Sequence, residues 1–470
     1  MTKSRSWAVL LALGLVAAAC GSSDDGTAAG DASSSTTAAA GGSVTTGAST
    51  GSAATGDDVP TDFKTDLGVT DTEIRIGYNS ALTGIFAPSV APIAESTNVF
   101  WEYINANGGI AGRKVVPVIL DSAYEVPKHL ENNERFIGDG ADSVVMIGQS
   151  AGSPQTAATV KSLEAANIAA IPLTWYSGWA DPKIGKNIFE VQTTYCLESM
   201  NGITYMSEKF GKKVAVISFP GEYGQDGATG AKKAIEKLGL ELVYDGEGLV
   251  DPAAGSDQTP VITSIVNAKP DFVWSSINPT KLSEIMGGAV AQGFTGMWSG
   301  NSPTYLYSLL GSELADALDK YYVHSTYFSL WNAIDSPGMT ELVTEMRKLR
   351  PTAPVSDLYV LGFVNGYVVK TVLEQAARNG DMTRAGVLAA AAEVKVDMKG
   401  LAPNQSWKGT PNEYIVRESY LYDVDKSTYT PDGTVSDEDA STGMTLIKGP
   451  YESPIAKDYD FTGACFVAKG

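Results

Sequence analysis

The chain has 470 residues, with 54 acidic against 34 basic side chains and a net charge of −20. That length exceeds one core of roughly 250–300 residues and allows two or three domains, while so acidic a field repels phosphate and excludes nucleic acid as a partner. Three Cys and two His are too few for a zinc ribbon or a disulfide-dense miniprotein.

Residues 1–19 place Lys3 and Arg5 ahead of about twelve apolar residues and a small-residue end. A bilayer span needs roughly 20 apolar residues, so this segment reads as a secretory signal. Ala17-Ala18-Ala19-Cys20 resembles the lipobox of bacterial lipoproteins, which implies a diacylated Cys20; the alternative is plain secretion with cleavage nearby. From Gly21 to Asp58 every residue except Val44 is Gly, Ala, Ser, Thr or Asp. Such a stretch has nothing to bury and reads as a tether. From Val59 onward the body keeps 49 acidic and 32 basic residues, a net charge of −17.

The body alternates short apolar strands with amphipathic helices. Strands are expected at 73–79, 114–120, 143–147 and 168–171, with helices at 93–106, 127–137 and 154–166. The rhythm resumes with strands at 213–219, 240–244, 271–275 and 297–299 and helices at 224–238, 260–268 and 281–292. This pattern specifies an α/β fold of two doubly wound parallel-sheet lobes. Helices at 338–349, 357–378 and 383–392 and a strand at 413–422 follow, as in a chain that returns to complete both lobes. The expected organisation is a signal at 1–19, lipidated Cys20 and tether over 20–70, a first lobe of 71–191 with 326–410, and a second of 192–325 with 411–470. Open α/β lobes bind at the carboxyl ends of their strands, so the site is expected between them.

The segment Ile104–Lys114 (INANGGIAGRK) resembles the helix-to-strand turn of type I periplasmic binding proteins, the solute receptors of ABC importers of the branched-chain amino acid, amide and urea class. Leu82-Thr83-Gly84, Asp121 and Glu222-Tyr223-Gly224 agree in order and spacing, and the resemblance covers roughly residues 70–425. It implies a Venus-flytrap with a hinge, a small-molecule ligand, a permease as partner, the extracytoplasmic face of the cell membrane as location, and a monomer without metal or cofactor. Carried onto this chain, it implies ligand contacts from Thr83 and Tyr124, from Ser150 or Ser153, from Thr174 and Trp175, and from Tyr223 and Asn278. Asn301 stands where amino-acid binders carry an acid for the ligand's ammonium. A buried ammonium without a carboxylate is costly, so Asn301 suits an amide, a urea-like group or a hydroxy or aromatic acid, unless Glu125 or Glu222 reaches the ammonium. The aromatic loops around Tyr124, Trp175, Tyr176, Trp179, Trp274 and Trp298 suggest a ligand larger or flatter than leucine if half of them face the cleft. Transport and sensing are both open roles.

A competing reading starts from Gly148-Gln149-Ser150-Ala151-Gly152, a GxSxG pattern between strand and helix. An esterase would need His324 as its base, and no His-Gly-Gly oxyanion element is present, which favours a binder. His129 is expected on an exposed helix face and His324 on a hinge strand. Asp423–Ser427 is expected as a strand end and surface turn rather than a calcium loop, and Asp437–Asp439 as a solvated loop. Cys196 and Cys465 either staple the tail to the second lobe or stay separate thiols.

Overall fold

The computed structural model describes residues 59–437 and 439–468; the signal, Cys20 and the tether through Asp58 lie outside them. Strand β1 (Glu73–Ser80) leads through helix α1 (Ala87–Ala106) to β2 (Lys114–Asp121), and α2 (Val126–Ile137) leads to β3 (Met146–Ala151). Helix α3 (Ser153–Ala165) and β4 (Ala170–Leu173) complete a parallel sheet of order β2-β1-β3-β4. Because β1 lies between β2 and β3, the loops after β1 and β3 leave on opposite faces and open a crevice at the strands' carboxyl ends.

The chain then crosses into α4 (Tyr195–Lys209) and repeats the plan with β5 (Lys213–Ser218), α5 (Gly224–Leu238), β6 (Glu241–Gly246), α6 (Thr259–Ala268), β7 (Phe272–Ser276), α7 (Pro279–Ala291) and β8 (Met297–Gly300). This second parallel sheet has the order β6-β5-β7-β8. Its central strands are buried along their length, which is why they read as continuous apolar runs.

After α8 (Ala315–Tyr321) and β9 (Val323–Thr326) the chain crosses back to α9 (Pro337–Leu349), α10 (Tyr359–Arg378) and α11 (Arg384–Ala391). Helix α10 packs along α1. The Arg384 guanidinium donates to the carbonyls of Phe136, Ile137 and Val144, satisfying the end of α2. A third crossing leads to β10 (Ser419–Thr430) and β11 (Ser441–Tyr451), which join β9 in an antiparallel sheet of order β9-β10-β11. Thr193 bridges Val416 where the first and third crossings run together. Cys196 and Cys465 are bonded, so the tail is stapled to α4. Beside the staple, Cys465 N donates to Ser177 Oγ and Tyr176 OH donates to the Phe466 carbonyl.

Several boundaries differ from expectation. Helix α1 begins at Ala87, six residues early, because Pro88 fits its first turn and Pro92 is carried inside it. It stops at Gly108 and Gly109, both at positive φ; a Cβ on Gly109 would come within 2.0 Å of the Arg113 carbonyl oxygen. The third strand runs to Ala151, so Ser150 lies within β3 rather than in the loop. Helix α4, unseen in the sequence, is buried along nearly all of its length. A helix covered on every face shows no amphipathic period. Residues 411–414 form a helical turn closed by a Thr410–Glu413 capping box, and the strand starts only at Ser419. His129 is buried, not exposed. Asp423–Ser427 lies inside β10, ending in a register shift between Val424 and Tyr429.

Trp274 packs across Gly202 of α4, where a Cβ would fall 2.0 Å from the ring. Gly202→Ala should therefore cost about 1–3 kcal/mol of stability by overpacking, measured by denaturant unfolding. Four buried carboxyls carry raised pKa values through burial: Glu198 to about 8, Asp226 to about 7, Asp357 to about 7, and Glu190 in the same direction. A folded value above the unfolded one means the contribution is complete below the ordinary carboxyl values of 3.8 to 4.5 and is lost as pH rises towards 7 to 8. Melting temperature should fall across that window, and Glu198→Gln should flatten part of the decline.

Candidate functional site

The loops at the carboxyl ends of both sheets close on one cavity. From the first lobe its wall takes Phe86 and Val90 of the α1 start, Tyr124 after β2, Ala151 and Gly152 at the end of β3, and Trp175 after β4. From the other side come Tyr195 at the start of α4, Tyr223 before α5, Ser302 and Tyr305 after β8, and Tyr327 after β9. No lining residue is an Asp, Glu, Lys or Arg. The cavity encloses about 70 Å³, less than the roughly 150 Å³ of a cavity that holds benzene. A ligand of that size enters only as the lobes part.

The aromatic wall is packed ring on ring. Trp175 lies 4.4 Å from Tyr327 and 6.0 Å from Tyr195 between centroids. Tyr195 lies 4.7 Å from Tyr223, and Phe86 is 4.5 Å from Tyr124. Phe86 also meets Tyr223 edge-on at 6.3 Å, a contact between the lobes. Two of these rings have anchored polar ends: Trp175 Nε1 donates to Gln192 Oε1 at 2.9 Å, and Tyr223 OH donates to the Ile277 carbonyl at 2.7 Å. Anchored rings hold their faces to the cavity at little entropic cost. Burial pushes the Tyr195 phenol above its usual range, opposed in part by the neighbouring Thr174 and Ser153 hydroxyls.

Of the residues the resemblance pointed to, Tyr124, Trp175 and Tyr223 line this cavity. The others stand behind it or at its edge. Ser153 and Thr174 hydrogen-bond each other, buried. Thr83 is exposed and donates to Asp121 at 2.6 Å. Asn278 caps α7 through Lys281 N at 2.8 Å and reaches across to the Ile85 carbonyl at 3.4 Å. Glu125 pairs with Lys128 at the surface. Of the six aromatic candidates only Tyr124 and Trp175 face the cavity. Tyr176 and Trp179 pack on each other, Trp274 donates to Ser199 Oγ, and Trp298 packs on Phe294.

Asn301 does not line the cavity. Its amide donates to Glu198 Oε2 at 2.9 Å and to the Tyr195 carbonyl at 3.0 Å, and its oxygen accepts from Ser276 Oγ at 2.6 Å. Glu198 in turn accepts from Ser302 N at 2.9 Å and Ser325 Oγ at 3.0 Å. This buried acid, missed with the rest of α4, anchors the loop that carries Ser302 into the cavity wall. Phe86, Tyr195, Tyr305 and Tyr327 were also missed, because single aromatics at element ends carry no periodic signal.

Ser150 is no exposed nucleophile. It is buried in β3 with Oγ 2.8 Å from Thr156 Oγ1 and 3.0 Å from His129 Nε2. Burial lowers the His129 pKa to about 3, and its Nδ1 has no partner among the described residues. A neutral ring without an orienting carboxylate lacks the triad arrangement. His324, the base that reading required, lies in β9 between Tyr305 and Tyr422.

Among the described residues no helix is long and apolar enough to cross a membrane, and no group of three His, Cys, Asp or Glu could hold a metal. Residues 73–429 match the family model described as periplasmic binding protein. A Leu/Ile/Val-binding protein homolog of Brucella melitensis is 28% identical over 214 residues, 43% of this chain and 54% of that protein. The chain thus spans about half the length of the curated relatives it matches. Among solved structures, a fatty acid ABC transporter substrate-binding protein from Thermomonospora curvata superposes with a TM-score of 0.75 at 26% identity, covering 84% of this chain and 97% of that one. A branched-chain amino acid ABC transporter protein from Thermus thermophilus, with bound valine, gives 0.69 at 18% identity, covering 82% and 98%. Two parallel sheets closing on one cavity, together with a family match through both of them, place the chain among the type I periplasmic binding proteins, a family of solute receptors and not of enzymes.

Proposed function

We propose that the protein captures an acid with an apolar or aromatic body between its lobes and delivers it to the permease of an ABC importer, held at the extracytoplasmic face of the membrane by lipid on Cys20. The observation that carries the ligand class is the cavity wall: aromatic and aliphatic side chains from both lobes, without a single charged residue. The ammonium of a free amino acid would be desolvated there without a carboxylate, at a cost of several kcal/mol. Glu198, a buried acid behind the wall, is already committed to Asn301, Ser302 and Ser325.

A carboxylate fits better. Helix α3 starts at Ser153, directly after Gly152 in the wall, and a helix N-terminus of this length favours a negative charge. The Tyr195 phenol beside it can add a donor. The apolar body would then lie against Trp175, Tyr223 and Tyr327. Likeness to the Thermomonospora curvata protein, named for fatty acid, supports the same reading. Three crossings between the lobes, near residues 190–194, 326–330 and 415–419, supply a hinge for closure.

Thermal-shift titration should show stabilisation by medium-chain fatty acids or aromatic carboxylic acids and none by leucine, isoleucine or valine. Stabilisation by those three amino acids alone would contradict the proposed class. Trp175→Ala should weaken the best ligand by roughly thirtyfold, about 2 kcal/mol for an aromatic anchor at the centre of a binding surface, measured by calorimetry.

A further inference from the structure

A second cavity lies where the chain leaves the first sheet, and it shares no lining residue with the first. Its walls include Trp179, Phe189, Glu190, Trp407 and Tyr414, and its volume is about 320 Å³. Phe189 extends the edge of the first sheet by donating to the Ala170 carbonyl, and its ring meets Trp407 at 5.4 Å, edge to face. Trp407 is fixed in turn by donating from Nε1 to the Glu190 carbonyl at 2.6 Å, and Tyr414 by donating to the Ala180 carbonyl at 2.8 Å. The aromatic wall is thus preformed.

Glu190 is the anomaly. It is 3% exposed, and neither carboxyl oxygen has a hydrogen-bond partner among the described residues. Trp179 Nε1 in the same wall is also unpartnered. Packed proteins rarely leave a carboxyl unserved in this way, because each lost partner costs the full desolvation of the group. Burial pushes the Glu190 carboxyl well above its usual range, and Asp226, of the same sign and occupied by Ser177, pushes it further in that direction. No cation of the described residues forms a salt bridge with Glu190. Lys186 lines the cavity but its residue is exposed.

We propose that this cavity is a second ligand site, for a small organic ammonium ion, with Glu190 as the counter-charge and Trp179, Phe189, Trp407 and Tyr414 as the aromatic walls. An alkylated ammonium matches both halves of the chemistry. Its charge pairs with the carboxylate as the Glu190 carboxyl releases its proton to solvent, and its apolar periphery lies against rings, which attract cations. A bare metal ion does not match, since among the described residues no group of three His, Cys, Asp or Glu that could hold a metal forms around Glu190. The place has a consequence for the first cavity: Glu190 is two residues from Gln192, which accepts the hydrogen bond that anchors Trp175. An ion bound at Glu190 therefore sits on the crossing that connects the lobes.

The test titrates tetramethylammonium chloride into the full-length protein against sodium chloride at matched ionic strength, followed by tryptophan fluorescence and by ligand-observed NMR. Saturable binding of tetramethylammonium is expected, weakened about tenfold or more in Glu190→Gln, which keeps the shape and removes the charge. Trp407→Phe should weaken it too while leaving a folded protein, checked by circular dichroism. Overturning results are binding no different from that of sodium, or equal binding by wild type and Glu190→Gln. A Glu190→Gln protein that melts higher, with tetramethylammonium silent on both proteins, would show a buried neutral acid and no site.

Discussion

An ammonium placed between the two lobes would meet no carboxylate. Every side chain around the central cavity is apolar, aromatic or a hydroxyl, and Trp175 and Tyr223 are held by bonds to residues outside its lining. This constraint governs the rest of the architecture. Both sheets must end at the same place for Phe86 of one lobe to meet Tyr223 of the other. The crossing strands must set Tyr195 and Tyr327 between them, against Trp175. Binding strength in such a space comes from burying apolar surface, about 25 cal/mol per Å², and its selectivity from refusing charges that cannot be repaired.

The polar chemistry lies one layer behind. Glu198, Asn301, Ser302 and Ser325 form a closed network at the junction of α4, β8 and β9. A network with its members satisfied rigidifies what it holds, and here it holds the loop that presents Ser302 and Tyr305. Asp226 performs a similar office for the tail, accepting from Ser177 N, while Ser177 Oγ accepts from Cys465 N next to the Cys196–Cys465 bond. Glu198 and Asp226 are thus used to build the receptor rather than to pair with a ligand.

The sheets were legible in the sequence because strands buried on both faces read as apolar runs, and helix α5 was found to the residue, at Gly224–Leu238, since its cap glycines and one-sided burial leave clear signals. Tyr124, Trp175 and Tyr223 were reachable because they follow strand ends. Asn301 shows the opposite case. Its position after β8 was right for a ligand contact, but nothing in a linear sequence reveals that Glu198, 103 residues away, turns its amide inward. Helix α4 escaped for the related reason that full burial erases periodicity, and with it went Tyr195, Glu198 and the helix that carries the staple.

The chemical class of what fills the central cavity decides the function. Native mass spectrometry of freshly purified protein, followed by release and identification of any co-purified small molecule, tests it most directly. The expected molecule is a carboxylic acid with an apolar or aromatic body and no ammonium group. A free α-amino acid held in the central cavity would contradict it.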